Sequence, residues 1–274
     1  MPSPILKLGA ITIMSLSDGV FAMPAARILP SVTDEQWQPL KQHLNADGTV
    51  PLNLGSFLIE EGGAWTLVDA GFGNRPNSPG GRLLGELEKA KVSPDQVTRV
   101  IITHLHVDHI GWLTVDRDGK PHVLFANARH VVQRKDWDHF TQPEVKQSQP
   151  IIDLCAEPLA AAGLLDLIDG DQTLSPGIAT LFTPGHTPGH QSVLVSSGNE
   201  RAVILGDVSH TPAQVTHPEW SPVFDDDAAQ SARTRAALWE RIEQQGLTVC
   251  AGHYAYPGFG GIVRVEGKRV WQGA

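Results

Sequence analysis

The segment His104-Leu105-His106-Val107-Asp108-His109 places four metal-binding side chains within six residues, directly after the apolar run Val100-Ile101-Ile102-Thr103. Imidazole nitrogens combined with one carboxylate suit zinc or a related first-row divalent ion, whereas an all-oxygen cluster would suit magnesium or calcium. On a strand that runs to Thr103 and then turns, His104 and His106 point the same way because successive residues of an extended chain face opposite sides. Asp108 and His109 follow where the backbone bends. Four side chains so close in sequence do not converge comfortably on one ion, and two adjacent ions are the simpler solution.

The rest of the chain holds the donors such a centre needs. Thr183-Pro184-Gly185-His186-Thr187-Pro188-Gly189-His190 is a turn-rich segment in which His186 is the candidate ligand. His190 is the reserve, expected to steady that loop by hydrogen bonding. The run Ala202-Val203-Ile204-Leu205 reads as a buried strand that delivers Gly206-Asp207, with Asp207 able to bridge two ions. The run Leu247-Thr248-Val249-Cys250-Ala251 ends similarly in Gly252-His253. His210, three residues beyond Asp207, is expected to face a substrate. His43, His122, His130, His139 and His217 have no ligand spacing and are read as surface or hydrogen-bonded structural residues.

This ordered set of motifs resembles the metallo-beta-lactamase superfamily over nearly the whole chain. The resemblance implies a four-layered αββα sandwich of the α/β class. It implies one ion held by His104, His106 and His186, a second held by Asp108, His109 and His253, and Asp207 shared between them. Asp69, in Thr66-Leu67-Val68-Asp69-Ala70-Gly71, would support the metal loop without ligating. Asp207-x-x-His210 with Gly252-His253-x-x-x-Pro257-Gly258 is similar to the methyl parathion hydrolase branch, while homoserine-lactone hydrolases carry Tyr where His210 stands.

The implied activity is hydrolysis of an ester-type bond in a small molecule: an organophosphate triester, a lactone or a carboxyl ester. Two divalent ions, zinc first and iron, manganese or cobalt as alternatives, would share a hydroxide nucleophile. Asp108, Asp207 and His210 are the candidate catalytic residues, with Asp108 or His210 handing a proton to the leaving group. Beta-lactamases with this metal motif lack a bridging Asp at the position of Asp207. The glyoxalase II branch adds a helical region after the last ligand, and only 21 residues follow His253 here. Two other classes stay open: iron-dependent oxygen or sulfur chemistry on the same fold, and a non-catalytic metal-binding protein.

The elements that must position these residues are legible in outline. The 274 residues, 41% hydrophobic, suffice for one domain spanning 1–274. Strands are expected near 8–16, 54–60 and 64–69. A helix near 80–91 places Leu83, Leu84, Leu87 and Ala90 on one face, a helical stretch follows near 151–163, and another helix within 227–245 carries Ala232, Ala236, Trp239 and Ile242. Residues 17–53 read as a proline-interrupted loop that caps the site, with Phe21, Met23, Ile28 and Leu29 available to line a pocket. Trp112 and the stretch from Tyr254 to Gly260 are further candidates for substrate contact.

A net charge of −9 argues against a nucleic-acid surface, because phosphate binding needs clustered Lys and Arg. Two cysteines without a CxxC pair imply neither a disulfide framework nor a thiolate site, and both are read as core residues. The apolar run 8–14 is short and alternating, so it reads as a strand more readily than as a signal peptide. No run has membrane-spanning length. A cytoplasmic protein, with a secreted form as the alternative and a homodimer as a candidate assembly, is the expectation.

If Asp207 and His253 are ligands, Asp207→Ala and His253→Ala each lose metal and activity together. Elemental analysis beside a turnover assay checks this, and normal metal content with retained turnover in either variant rejects the assignment.

Overall fold

The computed structural model describes residues 3–75 and 78–274. In chain order the strands are β1 (Ile5–Leu8), β2 (Ile11–Pro24), β3 (Thr49–Glu61), β4 (Ala64–Val68), β5 (Val97–Ile101), β6 (Thr114–Arg117), β7 (Lys120–Val123), β8 (Arg129–Gln133) and β9 (Leu165–Ile168). They continue with β10 (Gln172–Ser175), β11 (Ile178–Phe182), β12 (Gln191–Ser197), β13 (Glu200–Ile204), β14 (Thr248–Cys250), β15 (Phe259–Val265) and β16 (Lys268–Gly273). One seven-stranded sheet has the order β1-β2-β3-β4-β5-β8-β9, the other runs β10 to β16 in sequence order, and β6-β7 form a separate hairpin. Strands β4, β5, β8 and β9 pair in parallel, as do β13 and β14.

Alternation along the strands divides the core into layers. Ile13, Phe57, Ile59, Val68 and Ile101 of the first sheet pack against Val193, Val195, Ile204 and Cys250 of the second, filling the space between sheets. The opposite faces carry Leu58, Leu67, Val100 and Val132, covered by Leu83, Leu87, Phe140, Ile152 and Leu159 of the outer helices. On the far side, Val203 and Val249 meet Leu238, Trp239 and Ile242. This is the expected αββα sandwich. Both cysteines are buried and unpaired within it.

The long outer helix Ala228–Gln245 begins where Asp227 caps the free Gln230 N–H and ends at Gly246, whose φ of +60° suits a residue without a Cβ. Its buried face is Ser231, Arg235, Leu238, Trp239 and Ile242, with Ala232 and Ala236 only half-buried. The sequence pattern found the helix but chose a face shifted toward its alanines, because a fully buried arginine does not register as a core residue.

Residues 17–53 differ from the loop expected there. Strand β2 continues to Pro24 and β3 starts at Thr49, so the two form a long antiparallel arm with short helical turns at its tip. A register shift between Ser17 and Val20 interrupts the pairing. At this irregularity Asp18 is fully buried and accepts hydrogen bonds from the backbone of Phe72, Gly73, Gly81, Arg82 and Leu83 and from Trp112 Nε1. Ile28 and Leu29 pack with Trp37, Leu40, Leu52 and Trp220 in a cluster of their own, against which Phe21, Met23 and Phe224 rest.

Of the histidines expected to be surface or structural residues, His130 is structural: it is fully buried in β8 beside the backbone of Ala128 and Leu164. Burial pushes its imidazole down to about 4. The unfolded chain then takes up the proton first, and stability present above pH 6.5 is lost as pH falls from there toward 4, by about 3 kcal/mol at most. His130→Leu removes this loss. Urea unfolding of both metal-free proteins at pH 7.5 and 4.5 checks it: the variant is expected to lose less stability on acidification, and equal losses contradict the assignment.

Candidate metal centre

Every candidate donor lies just beyond a strand end. His104, His106, Asp108 and His109 follow β5, with Asp108 and His109 on the helical turn Val107–Ile110. His186 lies between β11 and β12, Asp207 on the turn Gly206–Val208 after β13, and His253 after β14. Strand ends of both sheets therefore meet at one edge of the sandwich. Gly206 is required there: its φ is +58°, and a Cβ would come within 2.5 Å of His190 Nε2.

The donors form the two sets implied by the sequence resemblance, His104-His106-His186 and Asp108-His109-His253, with all donor atoms of a set within 4.8 Å of one another. In the first set His104 Nε2 is 3.0 Å from His106 Nδ1 and 3.2 Å from His186 Nε2, and the latter two atoms are 3.0 Å apart. The opposite nitrogens explain what these contacts are. His186 Nδ1 donates to Asp225 Oδ1 at 3.0 Å, and His104 Nδ1 donates to Thr103 Oγ1 at 3.0 Å, whose own hydroxyl donates to Asp69 Oδ2. With the proton assigned to Nδ1, both Nε2 atoms present lone pairs to each other. Such an array repels itself unless a cation lies between. Nitrogens about 3.3 Å apart are what tetrahedral zinc with bonds near 2.05 Å requires.

The second set follows the same rule. His109 Nδ1 donates to Asp69 Oδ2 at 2.8 Å and His253 Nδ1 donates to the Asn53 carbonyl at 2.8 Å, turning both Nε2 atoms inward. His109 Nε2 is buried without a hydrogen-bond partner of acceptable geometry. Asp69, at a left-handed φ of 60°, does not reach the inner donors, and its other oxygen accepts Thr103 N–H. Asp207 stands between the sets: Oδ1 is 3.3 Å from His109 Nε2, while Oδ2 lies 3.1 Å from His253 Nε2, 3.3 Å from His186 Nε2 and 3.7 Å from His104 Nε2.

The electrostatics divide accordingly. Burial pushes His104 and His186 well below the usual imidazole range and His106 down to about 4, so all three stay neutral, as metal ligation requires. Burial opposes charge on His109 and His253 as well, but Asp207 and Asp108 outweigh it, holding His109 well above the usual range and His253 up at about 9. Asp207 is held well below the carboxylate range, burial notwithstanding, by His109 and His253. This field favours positive charge, which a divalent cation would supply.

In front of the donors opens a cavity of about 620 Å³. His106, Asp108, His186, Asp207, His210 and His253 reach it, and its walls include Phe21, Met23 and Leu52 from the β2-β3 arm and Phe72, Ile151, Leu154 and Phe224 from elsewhere. The aromatic residues favoured from chain order do not line it. Trp112 is buried on Asp18, Tyr254 is buried with its hydroxyl 2.7 Å from Ser209 Oγ, and Tyr256 is bonded to the Ser15 carbonyl. Each follows a ligand in sequence, yet the backbone turns it away from the cavity.

The metallo-beta-lactamase superfamily model matches residues 55–253, from β3 to the last donor. The chain belongs to this superfamily. It is 29% identical over 173 residues to an N-acyl homoserine lactonase of a Bacillus species, an alignment spanning 63% of this chain and 62% of that protein. The N-acyl homoserine lactonase AttM of Rhizobium radiobacter is 28% identical over 247 residues, covering 78% of this chain and 86% of its own length. Among solved structures, hydrolase AbOPH of the beta-lactamase superfamily superposes over 100% of this chain and 98% of its own, with a TM-score of 0.88 and 25% identity. The dizinc quorum-quenching lactonase AidC superposes over 100% and 97%, with a TM-score of 0.84 at 24% identity, a likeness of fold.

Several supports of this superfamily centre escaped the sequence reading. Asp225 holds His186 and is itself met by Arg235 Nη2 at 3.3 Å. Arg235, wholly buried, also donates to the carbonyls of Val208, Pro218 and Trp220, tying the Asp207 turn to the outer helix. Asp136, fully buried, accepts Leu105 N–H at 3.1 Å and Gly189 N–H at 2.6 Å, joining the two histidine loops. His190 acts as expected and further: its Nδ1 bonds to Thr183, and its Nε2 accepts Asp207 N–H at 2.8 Å. No local motif marks Asp225, Arg235 or Asp136, since each lies far in sequence from what it holds.

Asp225→Ala is expected to weaken the His104-His106-His186 site about 10- to 100-fold and to spare the other, while Asp69→Ala weakens both, because Asp69 holds His109 directly and His104 through Thr103. Chelator-competition titrations that resolve two zinc-binding steps check this; equal weakening of both steps by Asp225→Ala, or an unchanged step in Asp69→Ala, contradicts it.

Proposed function

We propose that this protein is a dinuclear metal-dependent hydrolase, with zinc the preferred ion, that cleaves lactone or carboxyl ester bonds of apolar small molecules. The observation that carries the reading is the double set of inward-facing donors around Asp207, open on one side to a largely apolar cavity. The N-acyl homoserine lactonases among its relatives favour a carbonyl substrate. The ligands are proposed to be His104, His106 and His186 for one ion, Asp108, His109 and His253 for the other, and Asp207 for both. When bound, the two cations supply Lewis acidity, lowering the pKa of water and polarising the carbonyl.

The chain's own side chains do the rest. Asp225, Asp69, Thr103 and the Asn53 carbonyl keep the protons on the outer ring nitrogens, so the inner ones stay free to ligate. Phe21, Met23, Leu52 and Phe224 exclude water from the apolar part of a substrate. His210 stacks on His253 with 12° between the rings, and its Nε2 lies 3.2 Å from Asp207 Oδ2. Its Nδ1 has no protein partner. His210 and Asp108, both on the cavity, are the proposed donors of the proton that the leaving oxygen needs. Phosphotriester cleavage is the second reading, favoured by the Asp207-x-x-His210 pattern.

The test is kcat/KM of zinc-loaded protein for an aliphatic lactone, an aryl ester and an aryl phosphotriester, with chelated protein as blank. Lactone or ester is expected to exceed the phosphotriester; the opposite order establishes the second reading, and metal-independent or absent turnover of all three overturns both. His210→Gln is expected to slow the aliphatic lactone about 100-fold and to change a 4-nitrophenyl ester little, because a phenolate leaves without protonation. Equal losses on both substrates contradict a proton-donor role.

A further inference from the structure

The cavity wall contains a fixed cation that hydrolysis at the metal centre does not use. Among the described residues lining the cavity, Arg75 is the one Lys or Arg, and it is only half-buried. Its Nη1 donates to the Phe72 carbonyl at 2.9 Å and its Nη2 to Cys155 Sγ at 3.0 Å. Neither partner carries charge: burial pushes the Cys155 thiol above its ordinary value, so it stays a neutral thiol. Arg235, in contrast, meets the carboxylate of Asp225. Among the described residues Arg75 is thus steadied by two neutral acceptors, with further N–H groups of its five left for another partner.

Its surroundings sharpen the point. Phe72, Val107, Ile151 and Leu154 line the same cavity. A guanidinium beside apolar walls is poorly hydrated, and its attraction for an anion exceeds that of an arginine in open solvent. The contacts to Phe72 and Cys155 also restrict the side chain, so less rotamer freedom is lost when an anion docks.

We propose that Arg75 is a specificity-determining residue that receives a carboxylate on the substrate, remote from the bond cleaved, so that the preferred substrate is an apolar ester or lactone bearing one negative charge. This rests on the hydrolase reading above. Charge and shape then select the same molecule: the apolar walls take the chain and the guanidinium takes its end.

Two esters of equal length separate the effect from general hydrophobicity: 4-nitrophenyl hexanoate and the 4-nitrophenyl monoester of adipic acid, in which a carboxylate replaces the terminal methyl group. Zinc-loaded wild-type protein is expected to favour the adipate monoester in kcat/KM by about tenfold or more. Arg75→Met is expected to abolish that preference through KM while leaving the hexanoate unchanged, with Arg75→Lys in between. No preference in the wild type, or equal losses on both esters in Arg75→Met, overturns the proposal.

Calorimetric titration with monomethyl adipate keeps this test apart from the hydrolase reading. If neither nitrophenyl ester is cleaved, the hydrolase reading fails, and binding of monomethyl adipate that weakens about tenfold in Arg75→Met still supports the anion site. Binding equal in wild type and Arg75→Met overturns it.

Discussion

A set of imidazole lone pairs turned toward one another, each held there by an acceptor on the far side of its ring, governs this molecule. His104 and His186 present Nε2 atoms 3.2 Å apart, an arrangement two neutral rings do not choose unaided. It persists because Thr103, Asp225, Asp69 and the Asn53 carbonyl take the Nδ1 protons of His104, His186, His109 and His253. Apart from Thr103, which precedes His104 in the chain, those acceptors come from other segments than the rings they orient. The tautomer of each donor ring is therefore largely a property of the packed structure, and so is the site's suitability for cations.

Rigidity behind the acceptors keeps the arrangement from relaxing. Asp69 continues β4 and accepts from Thr103 beyond the adjacent parallel strand β5, so sheet pairing carries the support for His109. Asp225 is backed by Arg235, whose buried guanidinium spreads its donors over three loop carbonyls and Ser231. Asp136 clamps the loop of His104 and His106 to the loop of His186. Buried carboxylates and guanidinium groups are costly to desolvate, and each of these is matched by several hydrogen bonds. Loss of one partner would leave a buried polar group without its hydrogen bonds in an apolar interior, so each support matters most to the loop or ring it holds.

The cavity answers to a different part of the chain. Its metal face comes from loops at the strand ends, while Phe21, Met23 and Leu52 come from the extended β2-β3 arm. The arm is pinned by Asp18, which gathers six donors at the irregularity in β2, including the start of the helix Leu83–Lys89 and Trp112. The donors and the apolar wall thus sit largely on separate elements, joined where the Asn53 carbonyl beside Leu52 holds His253 and where Asp225 beside Phe224 holds His186.

The sequence alone named the seven candidate donors, the sandwich fold and the strands that deliver them, because donor spacing and hydrophobic alternation are local properties of the chain. His104 to His109 are neighbours, and the other donors each end an apolar run. Tertiary structure decided what depends on distant pairs: Asp225 on His186, Asp136 on two loops, Asp18 on three, and the burial of Arg235 and His130. It also decided which aromatic residues face the cavity, turning Trp112, Tyr254 and Tyr256 away and bringing in Phe72 and Phe224 beside the Phe21 expected there. Side-chain direction beyond a turn follows from backbone torsions and packing, and no spacing rule encodes them. The extent of β2 and β3 was hidden for the same reason: their outer halves are strands through pairing with each other, and pairing is not a local property.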